Sequence, residues 1–246
     1  MNTLTWILIA TVANSLISLV GVFTLSLSKE KINKIIFAMV GFSAGAMLSG
    51  AFFHLISESI EMFGDTTQTF IFVFAGFIAF FVIERALHWH HCHDGNCPHQ
   101  VTYLILLGDG LHNFIDGMVI AASFLVGTGF GIVTTILIMG HELPQEIGDF
   151  GVLLHGGFER RKALFYNFLS QAASIVGGVL GFFLSGAMGI TQILLPFAAG
   201  GFIYIAASDL VPEFHREGNL KKTAGYFVFF LLGIGFMLGL KLALGN

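Results

Sequence analysis

"GDGLHNFIDG", residues Gly108 to Gly117, packs two aspartates, a histidine and an asparagine between apolar runs. Whether this stretch is a polar loop or the middle of a membrane span decides the fold. Asp109, His112, Asn113 and Asp116 stand at i, i+3, i+4 and i+7. At 100° per residue they fall within an arc of roughly 100°, one face of one helix. With the flanking "VTYLILL" and "MVIAASFLV" the helix covers about 100–126. That exceeds the ~20 residues needed to cross a ~30 Å hydrocarbon core. The stretch reads as a membrane span with one polar face.

The rest of the chain agrees. Of its 246 residues, 55% are hydrophobic and 11% charged, where a soluble domain carries about 25% charged. Apolar runs bounded by polar clusters give eight candidate helices at about 4–27, 35–60, 67–88, 100–126, 129–156, 162–187, 191–215 and 223–244. The expected fold is an all-α polytopic membrane protein of eight transmembrane helices, one transporter domain over 1–246. The first apolar run lacks a basic leader and is too long for a signal-peptide core, so it is expected to be kept as a span. Many of the 31 glycines fall inside the apolar runs, which points to helices packed backbone to backbone. No nucleic-acid partner is expected; the lipid bilayer is.

Ten of the eleven Lys and Arg residues lie on one side of this arrangement, all but Lys241. The positive-inside rule makes that side cytoplasmic. Both termini then face outward, the loop at about 88–99 faces the cytosol, and the cell membrane is the expected location. "HLISE" (His54 to Glu58) and "DLVPE" (Asp209 to Glu213) match in helices crossing in opposite directions, as an inverted repeat of spans one to three in spans six to eight requires.

Span five carries a second stripe, "GHELPQEIGDFG", with His141, Glu142, Gln145 and Asp149 on one face and Glu146 at its edge. His112 and His141 both lie about 18 Å from the ends of their spans, near the midplane. Spans four and five hold five acids and no Lys or Arg, and a buried acid at a helix centre costs roughly 2.5–3.5 kcal/mol. The compensating charge must come from protons or from a cation outside the chain. Imidazole with carboxylate and amide oxygen suits a borderline divalent ion such as Zn²⁺. His112/Asp116 and His141/Gln145 are i, i+4 pairs, so each helix offers two ligands and together four. Asn113, Glu142 and Glu146 are placed to form or share a second site. Pro144 removes one N–H and clashes with the carbonyl of residue 140, a break tolerated where the backbone lines a cavity.

Other polar groups carry two readings each. Asp109 and Asp149 either orient ligands or handle protons. His54/Glu58 and Asp209/Glu213 are either points where a cation enters and leaves or polar helix ends at the interface. "HWHHCHDGNCPH" sets five histidines and Cys92 and Cys97 in twelve residues, for metal capture or sensing or as an incidental linker. On the cytosolic side no structural disulfide is expected.

With HNFIDG in span four and HELPQEIGD in span five, the chain resembles the ZIP (Zrt/Irt-like) family of divalent-metal transporters. The similarity is to its LIV-1-like branch, which extends the span-five motif as H-E-x-P-H-E-x-G-D. "HLISES" and "GGFIYIAASDLVPE" are similar as well. The resemblance implies a main metal site at His112, Asp116, His141 and Gln145. It implies an adjoining site at Asn113 and Glu142 with Glu146 nearby. It also implies a 3+2+3 arrangement, import toward the cytosol, an elevator-like motion of spans one, four, five and six against the rest, and a homodimer. Two positions depart from it. Gln145 stands where the branch has His, an uncharged ligand that opens the choice among Zn²⁺, Fe²⁺, Mn²⁺ and Cd²⁺. Ser174 stands where span six of the family often has Glu.

Three other classes compete. An intramembrane metalloprotease would use "HELPQ" as H-E-x-x-H, but Gln145 replaces the second histidine. A proton-driven exchanger or proton channel would need a proton gradient or pass current without metal. A membrane metal sensor would lose its response with the His-rich loop. The reading adopted is a divalent-metal transporter and not an enzyme, with the metal as cargo and no prosthetic group.

Overall fold

The computed structural model describes residues 2–21, 28–89, 98–155, 157–188, 190–216 and 220–244. The described residues form eight helical rods and no strand, an all-α membrane protein. α1 is Thr3–Ser15 with a 3₁₀ turn at Leu16–Leu19. α2 joins Lys29–Gly50, a π-helical segment Ala51–Ile56, and Ser57–Phe63. α3 is Thr66–Trp89, α4 Pro98–Val126 and α5 Thr128–His155. α6 joins Arg160–Gln171 to Ala173–Met188. α7 joins Thr191–Ile205, a π-helical segment Ala206–Leu210, and Val211–Arg216. α8 is Leu220–Leu244.

Local chemistry sets these ends. Asn2 caps α1 by accepting from Thr5 N at 2.8 Å. Gly64, at φ 65°, closes α2 in the left-handed conformation, which glycine adopts without strain. Asp65 then caps α3, accepting from Thr67 N at 2.8 Å. Helical backbone is described as far as Gly21, and the expected stretch 22–27 lies outside the described residues. α2 starts at Lys29, earlier than expected. His90 to Cys97 of the His-rich loop also lie outside the described residues.

Among the described residues five helices are long and apolar enough to cross a membrane, in Glu30–Phe63, Thr66–Arg85, Arg160–Ser185, Thr191–Ser208 and Lys222–Ala243; Thr3–Leu19 is shorter. The two remaining, α4 and α5, carry the polar stripes. Lipid is the apt neighbour for the exposed apolar faces of α3 and α8, where Phe74 and Leu232 are more than half exposed.

The inverted repeat is written into the glycine seams. A side chain at Gly45 of α2 would collide with the Phe230 carbonyl of α8, and one at Gly200 of α7 with the Val73 carbonyl of α3. Gly233 of α8 meets the Phe42 carbonyl of α2 as Gly76 of α3 meets the Phe197 carbonyl of α7. Gly45 and Gly200, and Phe42 and Phe197, are each 155 residues apart. The π-helical segments start with the same separation, at Ala51 and Ala206, and contain His54 and Asp209 at corresponding places. A π turn releases a carbonyl from the helical ladder; on α2 the Phe53 carbonyl accepts from Lys241 Nζ of α8. This gives the one outlying basic residue a structural partner.

A second set of seams ties α1, α4 and α6. Side chains at Gly117 and Gly177 would strike the Ser174 and Phe114 carbonyls across α4 and α6, and one at Gly178 would strike Thr11 of α1. Two contacts join α2 to α5 through side chains. Leu137 of α5 fills the space at Gly50 of α2. Ser43 Oγ of α2 donates to the Gly140 carbonyl of α5 at 2.6 Å. Pro144 lies inside α5, which stays helical through it, and has no N–H to give that carbonyl. The hydroxyl from α2 supplies the missing donor.

Candidate metal centre

α4 and α5 bring four donor atoms to one place. His112 Nε2 and His141 Nε2 are 3.2 Å apart. Asp116 Oδ2 lies 3.6 Å from His112 Nε2 and 3.2 Å from His141 Nε2. Glu142 Oε1 lies 3.3 and 3.4 Å from the same two atoms. These are five edges of a tetrahedron. Ligands bonded at about 2.0–2.1 Å to one tetrahedral ion sit about 3.3 Å from each other. The separations match.

Burial sharpens the point. Asp116 and Glu142 are wholly buried. They lie at ion-pair distance from the imidazoles, yet none of their oxygens accepts a well-directed hydrogen bond. Their lone pairs serve a shared centre better than they serve each other. Two carboxylates and two neutral imidazoles also offset the charge of one divalent ion. Phe80 of α3 and Phe202 of α7 set ring edges against His112 and His141, with centroids at 5.9 and 5.3 Å. The helices of the other group thus supply an apolar wall.

The four donor atoms that converge include Glu142, which spacing had placed in the adjoining site. Glu142 occupies the fourth place that i, i+4 spacing assigned to Gln145. Glu142 shares the stripe face with His141, and its Oε1 lies closer to the imidazoles than the i, i+4 pairing suggests. Gln145 turns instead to Asp109, donating from Nε2 to Oδ1 at 3.0 Å. A second group joins Asp109, Glu142 and Glu146, whose donor atoms all lie within 4.8 Å of one another. Asn113 is buried beside it and donates to Asp109 Oδ1 at 2.9 Å. Asp149 belongs to neither group.

α6 contributes residues that the face count of α4 and α5 passed over. Asn167 Nδ2 donates to Glu146 Oε2, and Ser170 Oγ to Asp109 Oδ2. Gln171 Nε2 donates to the Asn14 carbonyl of α1 at 3.3 Å. Asn167, Ser170, Gln171 and Ser174 stand at i, i+3, i+4 and i+7, the spacing that marked α4. The Ser174 carbonyl lies at the α4–α6 seam, and its buried hydroxyl has no hydrogen-bond partner among the described residues.

His54 is packed against α5. Its Nε2 is 3.1 Å from Thr134 Oγ1 and its ring stacks on Phe130 at 4.0 Å. The side chains of Asp209 and Glu213 lie outside the described residues, as do those of His88 and His99.

A family model described as "ZIP Zinc transporter" matches residues 3–102 and 98–241. The chain is 41% identical over 143 residues to IAA-alanine resistance protein 1 of Arabidopsis thaliana, covering 57% of this chain and 30% of that protein. It is 35% identical over 186 residues to zinc transporter ZIP10 of Homo sapiens, covering 66% of this chain and 22% of that protein. It is 28% identical over 271 residues to zinc transporter zipt-7.1 of Caenorhabditis briggsae, covering 81% of this chain and 69% of that protein. The chain therefore spans less than a third of the plant and human relatives.

Proposed function

The chain belongs to the ZIP zinc-transporter family, in its LIV-1-like branch, and from that premise we propose that it carries divalent metal ions across the bilayer into the cytosol. Zinc is the first candidate cargo, with Fe²⁺, Mn²⁺ and Cd²⁺ open to the same oxygen donors. The ion sheds water at His112, Asp116, His141 and Glu142, with Asn113, Gln145 and Glu146 alongside. The observation that carries this reading is the convergence of four donors at 3.2–3.6 Å, three of them buried and His112 partly so, without Lys or Arg on either helix.

The motion proposed is of the elevator type. α1, α4, α5 and α6 travel as one body against α2, α3, α7 and α8. What supports it is the packing: glycine seams tie α1, α4 and α6 together, and separately α2 to α8 and α3 to α7, while α5 shares its cluster of donor atoms with α4. The cell membrane, with both termini outside, is proposed from the distribution of basic residues. A homodimer is proposed from the family resemblance.

Radioactive zinc uptake into proteoliposomes tests the reading. Saturable uptake is expected for the native protein, lost when His112→Ala is combined with His141→Ala. Uptake that survives in the double variant overturns the site. No uptake of Zn²⁺, Mn²⁺ or Fe²⁺ by the native protein overturns the function.

A further inference from the structure

Asp109 is buried on α4 and both of its carboxylate oxygens are committed. Oδ1 accepts from Asn113 Nδ2 at 2.9 Å and from Gln145 Nε2 at 3.0 Å, and Oδ2 accepts from Ser170 Oγ. The Asp109 backbone carbonyl accepts again from Asn113 Nδ2 at 3.1 Å. Three helices thus meet on one carboxylate. A group so engaged acts through its neighbours rather than as a ligand.

What it does to them follows from polarity. A carboxamide donates from its nitrogen and accepts at its oxygen, whereas an ionised carboxylate only accepts. Both amide nitrogens must therefore turn to Asp109, which leaves both amide oxygens to face elsewhere. Asn113 Oδ1 is buried and accepts no hydrogen bond. It stands beside the group formed by Asp109, Glu142 and Glu146.

We propose that Asp109 is a positioning residue that fixes the polarity of two carboxamides. It turns Asn113 and Gln145 so that they offer oxygen, not N–H, to a divalent cation held by Glu142 and Glu146. This rests on the transport reading above. Amide oxygen suits harder ions, so the effect falls chiefly on Mn²⁺, while Zn²⁺ keeps its two imidazoles.

The test is Mn²⁺ and Zn²⁺ binding by calorimetry on the full chain in nanodiscs. Asp109→Asn keeps the shape but lets either amide reverse. It is expected to weaken Mn²⁺ binding about tenfold or more, the scale of losing an orienting partner, and Zn²⁺ binding less. Combining it with Gln145→Glu gives the new amide at 109 a carboxylate to donate to. The pair is expected to bind Mn²⁺ at least tenfold more tightly than the two single variants predict together. Ser170→Ala keeps the carboxylate and removes its anchor, so it carries the test should Asp109→Asn not fold, with about a threefold loss for Mn²⁺. An additive double variant, or unchanged Mn²⁺ binding in Asp109→Asn, overturns the inference and leaves the transport reading standing. A native protein that binds neither ion overturns both.

Discussion

His112 and His141 hold their Nε2 atoms 3.2 Å apart from two consecutive helices. Neither helix can present the pair alone, so the centre exists only while α4 and α5 keep their register. His112→Ala and His141→Ala should each weaken zinc binding by more than about 100-fold, beyond the loss of an outer hydrogen-bond partner. Calorimetric titration decides it; a loss below tenfold in either would put the ion elsewhere.

Metal and protons compete for the same atoms. Imidazole and carboxylate bind a cation only when unprotonated, so binding releases protons and affinity falls as the pH falls. With two imidazoles in the set, the fall is expected below about pH 6. Zinc affinity that stays flat from about pH 7.5 to 5 would contradict an imidazole-built site.

Gln145→His should raise the preference for zinc over manganese, because a neutral imidazole replaces an amide oxygen. Uptake of one labelled ion against the other unlabelled ion measures it. An unchanged preference would show that position 145 does not sense the cargo.

Gly117→Ala places a methyl group against the Ser174 carbonyl in the α4–α6 seam. Overpacking of this kind destabilises by about 1–3 kcal/mol, read as a lower melting temperature in detergent. Gly235→Ala, with nothing within 4 Å of the added carbon, should melt like the native protein. Equal melting of the two variants would mean that the seam is not tight.

Gly50→Cys with Leu137→Cys, in a background of Cys92→Ser and Cys97→Ser, would tie α2 to α5 across the two helix groups, because a Cβ at position 50 stands 3.1 Å from Leu137 Cγ. Oxidation should stop uptake and a reductant should restore it. Full uptake by the oxidised, cross-linked protein would refute sliding of these groups.

The polar stripes were legible because helix periodicity keeps i, i+3, i+4 and i+7 on one face, and this brought His112, Asp116 and His141 together. The same rule set Glu142 on that face too, but the pairing at i, i+4 favoured Gln145, since spacing locates a Cβ and not the end of a flexible side chain. Gln145 was drawn off by Asp109, a contact between helices that no spacing within one helix encodes. Asn167, Ser170 and Gln171 carried the stripe spacing as well, but uncharged groups gave it no electrostatic emphasis. The repeat showed in sequence only as five residues at His54 and Asp209. Its real signature is a set of glycines facing carbonyls, which needs both helices in view.

Ser43 turns a missing backbone bond into a matter of timing. Pro144 cannot give the Gly140 carbonyl its usual helical donor, and a hydroxyl on α2 meets that need at 2.6 Å. If α5 travels along α2 as proposed, the carbonyl is stranded midway until water or another donor reaches it. That bond is made at rest and absent at the crest, so it slows the crossing without altering how tightly the cargo is held. One hydroxyl would then govern dwell time, while the histidines and carboxylates choose the ion.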